Sequence, residues 1–336
     1  MTIVAQAPCR ISLVGGGTDV DPFAAKYGGR VLNLAVSLYH TATLIPHPAK
    51  TITITALNKT IIVESCARKL IYGQDPQFDL VRAIINHFRL KLSSGFSLTI
   101  TGPDNVLGLG RSASASVAMI GALNFWLKAR LTKKQIGLLA ADLEIKELGW
   151  AGGRQDSLAS AYGGINLIQF GPAKKIIVSP LKISPAKIKA LQQWTFMVYV
   201  GGHHFSYHQQ EKLIQGMNDR AKIAALQALK KSVPLAVQAL KAGDWPLLGK
   251  LLHQAWLDKK KSNPVVTNKF IDQVYDQALA AGVLGGKVAG SGGAGNMFFI
   301  IPPAKKPAAI KAVTALGARL IPFNFDFQGV RVNYDY

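Results

Sequence analysis

The sequence predicts a protein of the α+β class, because strand-like and helix-like segments are mixed along it without a fixed repeat. Hydrophobic residues make up 49% and charged residues 17% of the 336 residues. This composition provides enough apolar side chains for a sizeable core and excludes a disordered chain. At about 100–200 residues per domain, the length indicates two domains or one large fused unit.

The N-terminal third is rich in strands. Runs of β-branched residues between turn signals predict strands at 11–14, 31–36, 41–46, 51–56 and 60–64. Residues 51–55, Thr-Ile-Thr-Ile-Thr, alternate with period two, as expected of a half-exposed strand. An amphipathic pattern predicts a helix over 78–92, and residues 95–101 form the next predicted strand.

Helices are predicted in the middle of the chain and again after residue 206. A loop at 102–111 leads into a helix over 112–128, and a helix over 132–148 has Thr132 as its N-cap. Strands follow at 164–170, 175–178 and 195–200. Residues 207–261 have a mostly helical pattern, interrupted near Pro234 and Gly243.

The C-terminal end again mixes both kinds of element. Helices are predicted over 268–281, which Gly282 closes, and over 304–316. Strands are predicted at 283–289, 296–301, 319–323 and 329–334. Because the pattern changes between residues 165 and 200, we divide the chain into an N-terminal domain, 1–180, and a C-terminal domain, 181–336.

The charge of the chain favours anionic partners. Lysine and arginine number 39 against 18 aspartates and glutamates, a formal net charge of +21. Such an excess attracts phosphorylated metabolites, nucleotides or nucleic acid, although a basic solvated surface is the simpler explanation. The sequence has no long basic arm, zinc-finger pattern or helix-turn-helix signature, so we do not expect a nucleic-acid partner.

Cysteine content and hydropathy indicate a cytoplasmic protein. Cys9 and Cys66 are too few for a disulfide framework or a four-ligand zinc site. The N-terminus lacks the pattern of a secretory signal, and no apolar run reaches the roughly 18 residues of a membrane span. We therefore expect neither secretion nor a membrane partner.

Three glycine-rich clusters occur at 15–19, 108–114 and 285–295. Any one alone is compatible with a tight turn. The second is the most informative, because it leads into a predicted helix, where free backbone N–H groups and the helix dipole stabilise phosphate. Glycine allows the backbone to approach that anion, and Ser112 at the helix start can cap the helix or bind magnesium.

Two other phosphate-binding patterns fit the second cluster less well. The P-loop pattern requires lysine and then serine or threonine after its last glycine, whereas Arg111 follows Gly110. The dinucleotide pattern is formally matched from Gly108 to Ala113. However, the acid expected about 20 residues later is missing, since residues 132–135 are Thr-Lys-Lys-Gln.

Several segments in register carry a family resemblance. They are residues 7–19, the Ala-Gly-Gly-Arg-Gln-Asp segment at 151–156, residues 256–261 and 267–272, and the third glycine cluster. Their order and setting resemble the GHMP kinases, the superfamily of galactokinase, homoserine kinase, mevalonate kinase and phosphomevalonate kinase. Within it the chain resembles the D-glycero-D-manno-heptose 7-phosphate kinase branch, nearly from end to end.

The resemblance implies a two-domain fold, with a ribosomal protein S5-like N-terminal domain, a ferredoxin-like C-terminal domain and a site in the cleft between them. It implies ATP and Mg²⁺ as cofactors. The residues that it assigns to the nucleotide are Gly108, Leu109, Gly110, Arg111, Ser112, Ala113 and Ser114. It assigns the metal to Ser112 and Glu144. It also makes Asp156 the catalytic aspartate, with Arg10 beside it.

The implied reaction is transfer of the γ-phosphoryl group of ATP to a sugar hydroxyl, the anomeric hydroxyl of a heptose 7-phosphate or a related sugar. The residues assigned to the sugar are Gly17, Thr18, Asp19, Gly153 and Gly292. A small-molecule sugar or sugar phosphate is the expected partner, and a homo-oligomer is left open. The alternatives are a galactokinase- or fucokinase-like kinase and, from another class, a non-catalytic regulatory protein on this fold.

The assigned side chains also have structural explanations, and the family pattern has departures. Glu144 can be an exposed helix charge, and Asp156 a helix N-cap.

Arg111 and Ala113 stand where the family has serines, so Arg111 either adds a phosphate contact or faces solvent. Residues 201–206 lie where this branch usually has Thr-Gly followed shortly by an arginine, and this chain lacks that arginine. If the arginine binds a substrate phosphate in the relatives, its absence favours a different or unphosphorylated sugar here. Three histidines superficially resemble a metal cluster, without the carboxylate or cysteine spacing that would support one: His203, His204 and His208.

Overall fold

The computed structural model describes residues 1–56, 59–63, 68–73, 78–171, 175–202 and 206–335. Helices and strands are mixed along the chain, which confirms the predicted α+β class. In the described ranges, none of the helices combines the length and apolar character needed to cross a bilayer.

The first sheet is built around two long strands. β1 (Thr2–Val14) pairs antiparallel with β2 (Gly29–His47), whose other edge pairs with β5 (Gly95–Thr101) and β6 (Ile165–Phe170). The sheet continues through β3 (Ile52–Ala56), β4 (Lys59–Val63), β7 (Ile176–Pro180) and β12 (Arg331–Asp335). Because β12 pairs with β1, the end of the chain returns to the first sheet.

β2 replaces the two strands predicted at 31–36 and 41–46. Its pairing with β1 moves from Val36 opposite Cys9 to Tyr39 opposite Pro8, so two extra residues form a bulge. A bulge bends a strand without ending it. The chain therefore stays extended between the two predicted segments.

In the described part of the chain, the helices that accompany the first sheet are α1 (Phe23–Tyr27), α2 (Asp79–Phe88), α3 (Arg111–Trp126), α4 (Lys133–Asp142) and α5 (Gln155–Tyr162). The predicted cap of α4 is confirmed, because the Thr132 hydroxyl accepts from the Gln135 N–H and the Thr132 N–H donates to the Gln135 side chain. A π-helical turn, Leu143–Glu147, follows α4. Apolar residues of α2, α3 and α4 pack on the strands and form one core.

The second sheet is antiparallel. Its strands, in spatial order, are β11 (Arg319–Leu320), β8 (Thr195–Tyr199), β10 (Asn296–Ile300) and β9 (Gly285–Val288). The helices of this part are α6 (Pro185–Trp194), α7 (Ser206–Gln215), α8 (Arg220–Ala242), α9 (Trp245–Ser262), α10 (Lys269–Ala280) and α11 (Lys306–Ala315).

Two helices of this part differ from the prediction. α8 continues through Pro234, so the interruption predicted there is wrong, whereas Gly243 ends the helix in a left-handed conformation. Val233 and Ala236 beside the proline are fully buried, and their burial offsets the backbone hydrogen bond that proline cannot make. α6 is not predicted from the sequence, although it begins with the usual signals, an N-cap serine followed by proline.

One continuous apolar core joins the two sheets. It combines residues of β1 and β2 with residues of α8 and α9 and with Met197 and Phe298 of the second sheet. A separate cluster lies between the second sheet and helices α10 and α11. The division of the chain at residue 180 stays a prediction: β7 ends there, but β12 belongs to the first sheet.

Candidate active site

A cleft of about 880 Å³ opens where the three glycine clusters meet. β1, the loop before α3 and the start of α5 form one wall, and α9 with the third glycine cluster forms another. The polar side chains lining it are Arg10, Ser12, Asp19, Arg111, Ser112, Glu144, Gln155, Asp156, Glu211, Lys259, Ser262, Asn263 and Ser291.

The second glycine cluster forms one end of the cleft. Gly110 is the N-cap of α3, with a left-handed backbone (φ 78°), and no described side chain caps the helix. The first N–H groups of α3 are therefore available to an anion, which the helix dipole also attracts. The left-handed backbone favours glycine at this position, and a Cβ there would lie in van der Waals contact with Arg10, 3.5 Å from its Cζ.

The predicted nucleotide loop divides into two sets of residues. Four members line the cleft: Gly108, Gly110, Arg111 and Ser112. Three are buried behind the loop: Leu109, Ala113 and Ser114. The Leu109 carbonyl accepts from the Arg10 N–H at 2.9 Å, and Ser114 Oγ lies 2.6 Å from Nδ1 of buried His40. The buried members thus fix the shape of the loop.

The third glycine cluster packs against the back of this loop. A Cβ on Gly290 would lie 2.4 Å from the Gly108 carbonyl oxygen, which is closer than a side chain permits. The Asn296 side chain donates to the Asn105 and Leu107 carbonyls at 2.8 and 2.9 Å. The C-terminal half of the chain therefore supports the loop of the N-terminal half.

An ion pair between Arg10 and Asp156 lies beside the loop. Arg10 is 3% exposed, and its Nε donates to Asp156 Oδ1 at 2.7 Å while its Nη2 donates to Oδ2. Its Nη1 donates to the Gly108 carbonyl at 2.8 Å. Asp156 lies in the first turn of α5, lines the cleft and keeps a 31% exposed side chain. The arginine thus orients a carboxylate that a ligand can reach.

Asp19 occupies another part of the cleft, where neighbouring N–H groups hold its carboxylate. Its Oδ1 accepts from the Gly17 N–H at 3.2 Å and from Gln155 Nε2 at 2.9 Å, and its Oδ2 accepts from the Gln155 N–H at 3.2 Å. Gly153 lies so close that a Cβ there would be 1.9 Å from Oδ2. Burial, and then the charge of Asp156, raises the pKa of Asp19 to about 6.

The other two predicted sugar contacts do not line the cleft. The buried Thr18 hydroxyl donates to the Gly15 and Arg30 carbonyls at 2.7 and 2.9 Å, which fixes the turn after β1. A Cβ on Gly292 would lie 2.5 Å from Val266 Cβ, so this glycine allows close packing of two segments. The structure therefore gives Thr18 and Gly292 roles in shaping the glycine turns.

Glu144 lies in the π-helical turn and hydrogen-bonds to Ser112 at the start of α3. Burial raises the pKa of Glu144 to about 7, while the Ser112 hydrogen bond opposes this rise and the charge of Asp156 adds to it. Its Oε1 is buried without a partner among the described residues. Carboxylate and hydroxyl oxygens suit Mg²⁺, so this pair fits the implied metal.

Two family models match the chain: the N terminal domain of GHMP kinases at residues 79–164 and the C terminal domain of GHMP kinases at residues 236–319. D-glycero-alpha-D-manno-heptose 7-phosphate kinase from Campylobacter jejuni is 31% identical over 334 residues, which cover 98% of each chain. The chain belongs to the GHMP kinases. It is therefore an ATP-dependent phosphotransferase, as predicted.

Solved structures confirm the predicted GHMP kinase fold. A D-glycero-D-manno-heptose 1-phosphate kinase from Bacteriodes thetaiotaomicron superposes with a TM-score of 0.82 at 27% identity, over 99% of both chains. A Lactococcus lactis galactokinase, crystallised with galactose, superposes with a TM-score of 0.76 over 99% of this chain and 95% of that one. At 18% identity, the second likeness supports the fold alone.

Two lysines of this GHMP kinase site have no role predicted from the sequence. Lys259 lines the cleft at 8% exposure and donates to the Gly290 carbonyl; Lys287 is 3% exposed and donates to the Ser12 carbonyl at 2.8 Å. Burial, and then neighbouring cations, lowers the pKa of Lys287 to about 7 and that of Lys259 well below its usual value. Lys259 lies three residues after buried Trp256 on α9, so the two side chains lie on the same face of the helix. This spacing is the sequence signal that could have indicated a buried Lys259.

Four buried polar atoms of cleft residues have no hydrogen-bond partner in the described part of the chain: Ser12 Oγ, Glu144 Oε1, Gln155 Oε1 and Ser291 Oγ. Each such atom costs about 1–3 kcal/mol unless it finds a partner, so a polar ligand is expected here. A Cβ on Gly16 would meet both Ser12 Oγ, at 2.7 Å, and Gln155 Nε2, at 3.6 Å. These two side chains therefore lie together, beside Asp19.

The histidine cluster considered in the sequence lies mostly outside the described residues. This holds for His203, for His204 and for the side chain of His208. Among the described residues, no group of three or more His, Cys, Asp or Glu side chains could hold a metal ion.

Proposed function

We propose that this GHMP kinase transfers the γ-phosphoryl group of ATP to the anomeric hydroxyl of a heptose 7-phosphate or a related sugar. The observation that carries the proposal is the Arg10–Asp156 pair, which lies beside the loop before α3 and is coupled electrostatically to Asp19. The likeness to the Campylobacter and Bacteriodes heptose phosphate kinases supports the choice of sugar.

The N-terminus of α3 binds the triphosphate in this proposal. N–H groups after Gly110 donate to phosphate oxygens, and Arg111, exposed at the first position of the helix, adds positive charge. Ser112 and Glu144 would hold Mg²⁺, which when bound would neutralise phosphate charge. The buried, unpartnered Oε1 of Glu144 supports this assignment.

Asp156 accepts the proton of the attacking sugar hydroxyl. The hydroxyl oxygen forms a bond to the γ-phosphorus while the bond between that phosphorus and the bridging oxygen of ADP breaks. Arg10 already holds both carboxylate oxygens, so Asp156 is oriented before the sugar binds. A base positioned in this way typically contributes about 10²–10⁴-fold to the rate.

The sugar lies at the Asp19 end. Three N–H groups already donate to the Asp19 carboxylate, which has about four acceptor sites, so capacity remains for a sugar hydroxyl. Ser12 Oγ and Gln155 Oε1 supply further polar atoms without partners. A ligand with several adjacent hydroxyls would satisfy these groups together.

The phosphoryl donor indicates where the reaction takes place, and the net charge of the chain indicates which partners it attracts. We propose the cytoplasm as its location, because ATP is available there. The net charge of +21 would attract both anionic substrates, which makes a nucleic-acid partner unnecessary.

The test is turnover of ATP with a panel of acceptors: heptose 7-phosphate, the unphosphorylated heptose, galactose, fucose and mevalonate. We expect the highest kcat/KM with a heptose, and a product whose ³¹P NMR signal is coupled to the anomeric proton. A preference for galactose or fucose would favour the galactokinase- or fucokinase-like alternative. ATP binding without turnover of any acceptor would favour a regulatory protein.

A further inference from the structure

Three consecutive lysines end helix α9, and their surroundings differ. Lys260 and Lys261 lie 3.4 and 3.8 Å from aspartate oxygens, and their side chains are 31% and 69% exposed. Lys259 is buried and lines the cleft. Within the described ranges, its hydrogen-bond partner is the Gly290 carbonyl oxygen, and it forms no ion pair with a carboxylate. Lys259 is therefore placed differently from its neighbours.

The charges around Lys259 disfavour its burial in the absence of a ligand. Arg10 and Lys287 are both buried, and both interact with it electrostatically, so positive charges are concentrated here. The attractive charge nearby is Asp156, but Arg10 already occupies both of its oxygens. A buried ammonium in such surroundings is costly unless an anion completes the site.

The proposed reaction brings one such anion to this place. The sugar hydroxyl attacks beside Asp156, so the phosphoryl group must pass there on its way from ATP. An ammonium group has three N–H donors, and the Gly290 carbonyl uses one of them in Lys259. The remaining two donors can point toward a ligand in the cleft.

We propose that Lys259 is a catalytic residue that donates hydrogen bonds to the phosphoryl group during its transfer from ATP to the sugar. This inference rests on the proposed function. Lys259 keeps its proton throughout the step, since the hydroxyl proton moves to Asp156 and the leaving electron pair stays on the bridging oxygen of ADP. Its fixed charge stabilises the negative charge on the transferred group.

The test compares Lys259→Met with Lys261→Met, a matched change two residues away on the exposed side of α9. We expect kcat of Lys259→Met to fall about 10²–10³-fold, the effect of losing one transition-state donor. Affinity for a non-hydrolysable ATP analogue should fall about tenfold, because one charge-assisted hydrogen bond is lost, while ADP affinity changes little. Lys261→Met should change none of these values.

The thermal midpoint separates this role from a structural one. We expect Lys259→Met to melt at the same temperature as the natural protein or higher, since a poorly compensated buried charge is removed. Lys259→Arg should recover part of kcat. A variant that melts lower or does not fold, while its folded fraction keeps the natural kcat, would show that the lysine is structural.

Two further outcomes distinguish this inference from the proposed function. Equal losses of ADP and ATP-analogue affinity, with unchanged kcat, would assign Lys259 to general nucleotide binding and overturn the inference. Failure of the natural protein to phosphorylate any acceptor would overturn the proposed function instead. The nucleotide comparison would still test the contact between Lys259 and the terminal phosphoryl group.

Discussion

The glycine turns at 15–19 and 108–114 border the same cleft but use their polar groups in opposite ways. In the turn after β1, the Thr18 hydroxyl and the Asp19 carboxylate bind neighbouring backbone groups. At Gly110 no described side chain caps α3, so N–H groups remain for a ligand. A glycine-rich sequence therefore binds phosphate where its N–H groups lack internal partners, and not merely where glycines are frequent.

The two ends also differ in the groups that face their ligands. At the start of α3 these are backbone dipoles, which do not titrate, although nearby Glu144 has a pKa that burial raises to about 7. At the sugar end the facing group is the Asp19 carboxylate itself, whose pKa burial raises to about 6. Replacement of Gly110 should therefore change nucleotide binding without changing the pH dependence of stability, whereas replacement of Asp19 should change both sugar binding and that pH dependence.

The largest expected effect comes from Asp156, which in the proposed reaction lies where the sugar hydroxyl meets the phosphoryl group. Asp156→Asn keeps the shape of the side chain but removes the base, so kcat should fall about 10²–10⁴-fold with little change in ATP-analogue affinity. Steady-state kinetics and calorimetry measure the two quantities. Asp276→Asn, at an exposed position on α10, is the control. Turnover of Asp156→Asn at the natural rate would remove this aspartate from the mechanism.

The next largest effect tests the uncapped helix end. Gly110 and Gly317 both have left-handed backbones, but a Cβ meets Arg10 and Asp156 at Gly110 and nothing within 4 Å at Gly317. Alanine at either position should cost about 1–2 kcal/mol of stability, from backbone strain. Only Gly110→Ala should also weaken ATP binding, by tenfold or more. Equal ATP affinity in both variants would show that the first turn of α3 does not bind the triphosphate.

Asp19→Asn tests the sugar end. One carboxylate acceptor becomes an amide donor, so KM for the sugar should rise about 10–100-fold while KM for ATP stays within a factor of three. Gly17 and Gln155, which donate to Asp19, would also lose an acceptor. A rise in KM for ATP equal to that for the sugar would show that the two ends are not separate.

The same variant gives a pH test of stability. The folded state holds the Asp19 proton up to about pH 6, whereas the unfolded chain releases it near 3.8, so stability should fall as pH rises between these values. The loss attributable to Asp19 is about 3 kcal/mol at most. The free energy of unfolding of Asp19→Asn, relative to the natural protein, should rise over this range. A constant difference would contradict the raised pKa.

The smallest effects distinguish two serines of one loop. Ser112→Ala removes a cleft hydroxyl, so the Mg²⁺ concentration needed for half-maximal activity should rise, by about tenfold. Ser114→Ala removes the partner of His40, whose pKa burial lowers to about 4, and should cost about 1 kcal/mol of stability through a neutral hydrogen bond. Ser114→Ala should leave the Mg²⁺ dependence unchanged. A Mg²⁺ dependence changed by Ser114→Ala and not by Ser112→Ala would show that Ser114, and not Ser112, is the serine that binds the metal.

Local chemistry made parts of this molecule predictable. Thr132 with Gln135 is a capping box in the sequence and in the structure, because both partners lie within one helical turn. The loop before α3 could likewise be read as a phosphate site from glycine and a helix start. The family resemblance supplied the fold and the type of reaction, which local patterns alone do not contain.

Features that depend on contacts between distant parts of the chain could not be predicted from the sequence. Pro234 remains inside α8 because its neighbours are buried, and β12 pairs with β1 although more than 300 residues separate them. Thr18 and Gly292 match family positions, but their contacts shape turns. Lys259 lies at the site because α9 packs between the two sheets; its spacing from Trp256 predicts a buried side chain but not the cleft that this side chain lines.

The most direct test of the proposed phosphoryl transfer is a crystal structure with a non-hydrolysable ATP analogue and a heptose. We expect the triphosphate at the N-terminus of α3 and the anomeric oxygen beside Asp156, about 3–3.5 Å from the γ-phosphorus. A triphosphate bound away from Gly110 and Ser112, or Asp156 remote from the γ-phosphorus, would contradict it.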